Sequence, residues 1–297
     1  RQWTKDSVGA CFVKLLKIQP STELKPQATK TPYRAAKFKS RVVDEEFRKD
    51  GIVVFDDNRL PSLAEAHVDQ LRRFCSDYLS QALHTVRSKD KVEDLNAIGF
   101  DRIRFRGEGR YELVPEHGGI ERSMPFMTDA QAPWMPAVRA VLGENACSIN
   151  KGFFVSAPGS ITQAYHHDGV HLSKKEHQSA YAVNVFLPLV DMLMQLGPTE
   201  FVKGSHILGK EAYKKECAVS PILKAGQFLM FDYRLGQLGL ANRDYKTSRP
   251  YFYCTYSAKE NGMLKFQGKE NFSKAIGGAN SSYDKGGTPK AKTKMVK

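Results

Sequence analysis

The chain has 297 residues, 41% of them hydrophobic and 26% charged, the proportions of a globular protein with room for one large domain. Its longest apolar run, Ala182 to Val190, is interrupted by Asn184 and Pro188 and falls far short of the roughly 20 residues a membrane-spanning helix requires. The net charge of +13 is carried by the ends: residues 1–50 hold 12 Lys/Arg against 6 Asp/Glu and residues 258–297 hold 9 Lys against 3 acids, which leaves +1 for everything between, so the ends read as solvated tails rather than as a nucleic acid-binding surface.

Residues 1–40 are basic and contain Pro20, Pro26 and Pro32; they are expected to form an arm against the domain. The sequence begins at Arg1, which leaves room for a targeting segment upstream. Arg41–Lys49 is expected as a short helix and Gly51–Phe55 as a strand. Ser62-Leu63-Ala64-Glu65 has the form of a capping box. It would open a helix whose Val68, Leu71, Cys75, Tyr78, Leu79, Ala82 and Val86 recur at helical spacing and belong to the core.

Arg102-Ile103-Arg104-Phe105-Arg106 alternates with period two, so its three arginines share one strand face. That face is either a solvated sheet surface or a cationic wall, continued by Arg110, for a carboxylate-bearing substrate. Pro133–Leu142 is expected as a helix. From about Ser148 the chain breaks into short strands at 151–156, 161–168, 180–187, 199–202, 219–223, 227–232 and 250–257. Gly and Pro punctuate them, as at Pro158-Gly159 and Gly197-Pro198. This is the pattern of an all-β barrel or jelly roll, with the earlier helices flanking it. The domain is placed at 41–262, its jelly-roll core at about 148–257. Residues 263–297, with Gly277-Gly278 and Gly286-Gly287, read as a flexible basic tail. The five cysteines are scattered without a Cys-x-x-Cys pair, which argues against a zinc ribbon or disulfide framework and for an intracellular, reducing compartment.

The stretch with the most chemistry is Tyr165-His166-His167-Asp168-Gly169. On an extended backbone His166 and Asp168 face one way and His167 the other. An imidazole and a carboxylate so placed can grip one metal ion, as in the 2-His-1-carboxylate triad of non-haem Fe(II) oxygenases, which needs one further ligand. His-x-Asp alone is a weak signal.

Three downstream blocks are more specific. Asn184-Val185-Phe186-Leu187-Pro188-Leu189-Val190-Asp191 comes first, then Gly197-Pro198-Thr199-Glu200-Phe201-Val202-Lys203-Gly204-Ser205-His206. The third is Phe231-Asp232-Tyr233-Arg234, running to Asn242 and Arg249-Pro250. With His166-His167-Asp168 these blocks resemble the phytanoyl-CoA dioxygenase-like family of Fe(II)/2-oxoglutarate oxygenases over roughly residues 150–257. The resemblance implies a double-stranded β-helix of the cupin-like, jelly-roll type, mainly β with flanking helices. It implies iron held by His166 and Asp168 at one mouth of the barrel, and Arg249 on the distal carboxylate of 2-oxoglutarate. Gln163, Asn184 and Thr199 would line the same pocket; each is equally readable as a satisfied buried polar group. The implied reaction oxidises an unactivated C–H bond with O2, by hydroxylation or oxidative cyclisation, in specialised metabolism. The arginine face suggests a small anionic substrate, such as an amino acid or polycarboxylate; within the wider family the algal enzymes that close the kainoid ring act on such molecules.

One position departs from the family pattern. Gln237 stands where a second histidine ligand is expected, in Phe231-Asp232-Tyr233-Arg234-Leu235-Gly236-Gln237. Four readings stay open: Gln237 as ligand or near-ligand, rescue by His171 or His206, a catalytically silenced binding protein, and an engineered change.

Overall fold

The computed structural model describes residues 38–87, 103–116, 118–208, 217–260 and 263–264. The expected arm 1–40, the tail 263–297 and Arg102 lie wholly or almost wholly outside the described residues.

Helix α1 (Ser40–Asp50) ends at Gly51, whose φ of 77° is left-handed. A side chain there would also run into His206 Nδ1 and Leu235, so the turn into strand β1 (Ile52–Phe55) needs glycine twice over. Helix α2 (Glu65–Arg87) comes next. The Ser62 capping box does not form. The Ala64 carbonyl takes the first helical bonds, from His67 and Val68, while the Ser62 N–H is drawn to Asp57 Oδ1 at 2.8 Å in the preceding turn.

Strands β2 (Ile103–Gly107) and β3 (Arg110–Leu113) make a hairpin. Short helix α3 (Gly119–Ser123) and α4 (Met135–Leu142) lead into β4 (Cys147–Ser156). Then come β5 (Ala182–Pro188), β6 (Thr199–Val202), β7 (Ala218–Val219), β8 (Phe228–Asp232), β9 (Gln237–Gly239) and β10 (Arg249–Ser257), with β11 (Lys259–Glu260) and β12 (Met263–Leu264) a terminal pair. Two sequence expectations fail. The strand expected at 219–223 stops at Val219. Residues 161–168 form no strand, only a single bridge between His166 and Gln237, because β9 is three residues long and offers no longer ladder.

The strands build a seven-stranded antiparallel sheet, ordered β1-β8-β5-β10-β4-β3-β2, and a three-stranded sheet, β7-β6-β9. Alternation assigns the faces. Phe153, Val155, Val183, Val185, Phe252, Cys254 and Tyr256 point outward, where Phe47, Leu71, Leu79, Trp134 and Val138 of the helical layer cover them. Phe186, Leu229, Phe231 and Tyr251 point inward against Phe201 of the small sheet, with the Phe201 and Phe231 rings 4.9 Å apart. Each such side chain contributes about 1.5–3 kcal/mol on burial. Two sheets enclosing an apolar interior, with helices on one outer face, make the expected double-stranded β-helix. Its inward face turns polar toward one end, and the chemistry lies there.

Candidate active site

The inward row of β3, β4 and β10 runs Arg110, Glu112, Phe154, Ser156, Arg249, Tyr251 and Tyr253. Arg249 is buried. One nitrogen, Nη2, donates to Ser156 Oγ at 2.8 Å, and its guanidinium lies over the Tyr251 ring. Nε and Nη1 are buried without a hydrogen-bond partner among the described residues. Burial holds its pKa below the ordinary arginine value. A cation in this state has two nitrogens for which the described residues supply no acceptor, and a carboxylate guest matches that requirement.

Arg110 is its neighbour and its opposite. It shares Ser156 Oγ, at 2.7 Å from Nη1. Its remaining N–H groups reach Ile161 O (3.0 and 2.9 Å), Gly239 O (3.0 Å) and Leu240 O (2.6 Å). Burial, then the Arg249 charge, push its pKa down to about 9. The structure places Arg110 as a buried clamp between the 157–181 segment and β9, away from a solvent-facing wall. Gln163 joins this clamp, its Oε1 accepting the Gly239 N–H at 3.0 Å, and Thr199 sits across from Gly239 in the small sheet. The absence of a Gly239 side chain makes the junction possible, since a Cβ would press on Arg110 and Gln163.

At the other end of the polar stretch, His166 and Gln237 exchange backbone hydrogen bonds of 2.9 Å. His166 Nδ1 lies 3.0 Å from the Ala164 carbonyl. A carbonyl only accepts, so Nδ1 carries the proton and Nε2 keeps its lone pair. Nε2 faces Asp168 Oδ1 at 4.0 Å. An imidazole nitrogen and a carboxylate oxygen set side by side in this way are both donors that a divalent cation accepts. His167 turns away, its Nδ1 reaching Arg234 O at 2.5 Å. The other carboxylate oxygen, Asp168 Oδ2, accepts from Gln237 Nε2 at 2.6 Å and from Asn184 Nδ2 at 2.7 Å. Asn184 is oriented in turn by Thr255, whose hydroxyl donates to its Oδ1 at 2.6 Å. Burial pushes the Asp168 carboxyl above the usual range, against the pull of His166, Arg106 and the Gln237 N–H.

Among the described residues no three His, Cys, Asp or Glu side chains converge to hold a metal. Rescue by the other histidines is not built: His206 Nε2 is tied to Arg48 O at 3.1 Å, and His171 packs against His177.

The arginine face contributes one described side chain to the site. Register sets Arg104 opposite Glu112; its side chain is outside what the structure describes. Arg106 Nε and Nη2 bond Glu112 Oε2, and the side chain is 47% exposed. Burial works against its charge but Glu112 outweighs it, so its pKa lies above the ordinary value. Glu112 also accepts from the Tyr253 hydroxyl, which takes an Asn150 N–H at 3.0 Å. Glu112, Tyr253 and Ser156 carried no sequence signal of their own; only the inward parity of neighbouring strands would have joined them to Arg249.

The phytanoyl-CoA dioxygenase (PhyH) family model matches residues 47–243. Solved structures of similar fold include AviO1 from Streptomyces viridochromogenes (TM-score 0.53, 15% identity, 75% of this chain and 96% of that one). The non-heme alpha ketoglutarate dependent carbocyclase SnoK from nogalamycin biosynthesis is another (0.53, 16%, 77% and 87%), as is EctD from S. alaskensis (0.52, 17%, 79% and 82%). At these identities the likeness carries the fold. No described helix is long and apolar enough to cross a membrane.

Proposed function

The chain belongs to the phytanoyl-CoA dioxygenase family of non-haem Fe(II)/2-oxoglutarate-dependent oxygenases, and from that premise we propose that it oxidises an unactivated C–H bond of a small anionic molecule, amino-acid- or polycarboxylate-like, by hydroxylation or oxidative ring closure. Iron would be held by His166 and Asp168, with Gln237 standing where the family pattern has a further histidine ligand. 2-Oxoglutarate is anchored through its distal carboxylate on Arg249, beside the Gln163, Thr199 and Asn184 amide and hydroxyl groups. When bound, the pair supplies one chemistry: O2 and 2-oxoglutarate become succinate and CO2, one oxygen atom going to succinate and the other to the substrate or to water.

The residues do the positioning. Arg249 fixes the cosubstrate with its two open N–H groups. Ala164 holds the His166 tautomer that leaves Nε2 free to ligate. Asn184 and Thr255 hold the Asp168 carboxylate. The inner apolar cluster closes the barrel behind them and excludes water.

The observation that carries the substrate class is Arg106. It is half exposed, held in one orientation by Glu112, and close enough to favour the Asp168 charge. A substrate carboxylate meeting it would stand beside the metal. The test is a screen of small carboxylic acids for substrate-stimulated succinate formation, followed by Arg106→Gln. The variant should raise KM for the acid roughly tenfold or more with the affinity for 2-oxoglutarate, held by Arg249, unchanged. An unaltered KM would remove Arg106 from the substrate site.

A further inference from the structure

We infer that Gln237 acts as a hydrogen-bond donor to Asp168 and not as a metal ligand, so that the metal keeps one more open position than a three-ligand site leaves, and that this position takes a monodentate donor from solution or from the substrate. The inference rests on the reading of His166 and Asp168 as the metal-binding pair.

The argument starts from Asp168 Oδ2, which takes two N–H groups, from Gln237 and from Asn184. Turning the Asn184 amide over would set its Oδ1 against the acceptor-only Oδ2, so Nδ2 is the end that faces Asp168, and Oδ1 takes the Thr255 hydroxyl proton. Oδ2 is therefore filled from the protein side, and Oδ1 alone looks toward His166 Nε2. The Gln237 nitrogen is committed to the carboxylate at 2.6 Å. That bond sets the orientation of the whole amide plane, and exchanging its two ends would set a carbonyl oxygen against Oδ2 and forfeit a charge-assisted hydrogen bond. The backbone gives little slack, since Gln237 is bonded to His166 on one side and paired with Phe201 on the other. A neutral amide oxygen is also a weaker donor to Fe(II) than the imidazole whose position Gln237 occupies. Outer partners that orient a ligating carboxylate are a regular part of metal sites; here the residue at the third corner has that role.

The consequence is a count. An octahedral ion holds six donors. Two protein atoms and a bidentate 2-oxoglutarate leave two positions where a three-ligand protein leaves one. The test uses Co(II) on the full chain with saturating 2-oxoglutarate, titrated with imidazole and, in parallel, azide. Its readouts are cobalt d–d absorption and calorimetric stoichiometry, on the native chain, Gln237→Ala and Gln237→His. The expected result is two exogenous donors per cobalt in the native chain and in Gln237→Ala, and one in Gln237→His. Cobalt affinity should fall about 10- to 100-fold in Gln237→Ala through the loosened carboxylate. One donor in the native chain, whatever Gln237→Ala shows, overturns the inference while leaving the metal site standing. A native chain that binds no Co(II) at all defeats the metal-site reading itself.

Discussion

Two ends of one polar stretch solve opposite problems. Around Arg249 the protein leaves a buried cation with two unpaired N–H groups. Around Asp168 it closes the network from within, with two amides on one carboxylate oxygen and a threonine behind one of them. Arg110, touching the same Ser156 hydroxyl as Arg249, shows that the first arrangement is no accident of burial: it is equally buried, yet each of its three guanidinium nitrogens donates to a carbonyl or hydroxyl. The anion end is built for a guest that must arrive, and the metal end is pre-shaped with one protein ligand fewer than its family pattern.

The sharpest way to break this comparison is to remove each arginine in turn. Arg110→Met strands the Ile161, Gly239 and Leu240 carbonyls and should destabilise the ligand-free protein by about 3 kcal/mol, a fall in Tm of several degrees by calorimetry. Arg249→Met removes a buried charge with no ionic partner and should leave the ligand-free Tm unchanged or slightly higher. The same variant should weaken 2-oxoglutarate binding about 100-fold or more. Equal Tm losses in the two variants would erase the distinction.

At the metal end the effects are smaller. Asn184→Ala should weaken Fe(II) binding about 10- to 100-fold with no change in fold, read by chelator competition. Gln237→His should tighten it about tenfold or more by adding an imidazole donor; tightening by both variants would contradict the carboxylate-orienting account.

The smallest effect concerns the histidines outside the site. Burial, chiefly, lowers the pKa values of His171, His177 and His206, with Arg234 adding to the shift in each. The folded chain thus binds fewer protons than the unfolded one. Stability should be full above the ordinary histidine value of about 6.5 and decline as pH falls below it. His177→Gln should flatten that decline in a Tm series from neutral to mildly acidic buffer.

How far the sequence carried this picture depends on where its signals are local. Strand parity made β4, β5, β8 and β10 readable, and the spacing of His166 and Asp168 placed an imidazole and a carboxylate together. The resemblance supplied Arg249. The stretch 161–168 reads as a strand from the turn punctuation around it but has only the short β9 beside it, and punctuation says nothing about the length of a partner. The arginine face misled in a similar way. Alternation lines up Arg104 and Arg106, but a bulge between Phe105 and Gly107 and the depth of Arg110 assign Arg106 and Arg110 to different neighbourhoods. Glu112 was invisible because its role depends on which strand lies across the hairpin.

The central claim is that one barrel mouth holds a metal between His166 and Asp168 and a dicarboxylate on Arg249. The most direct measurement is an anaerobic titration of the Fe(II)-loaded chain with 2-oxoglutarate, following the visible charge-transfer band of the chelate, repeated with Arg249→Met. The account predicts a saturable band in the native chain, and in the variant the same iron content with a titration shifted about 100-fold. Iron that fails to bind, or a band indifferent to the loss of Arg249, would contradict it.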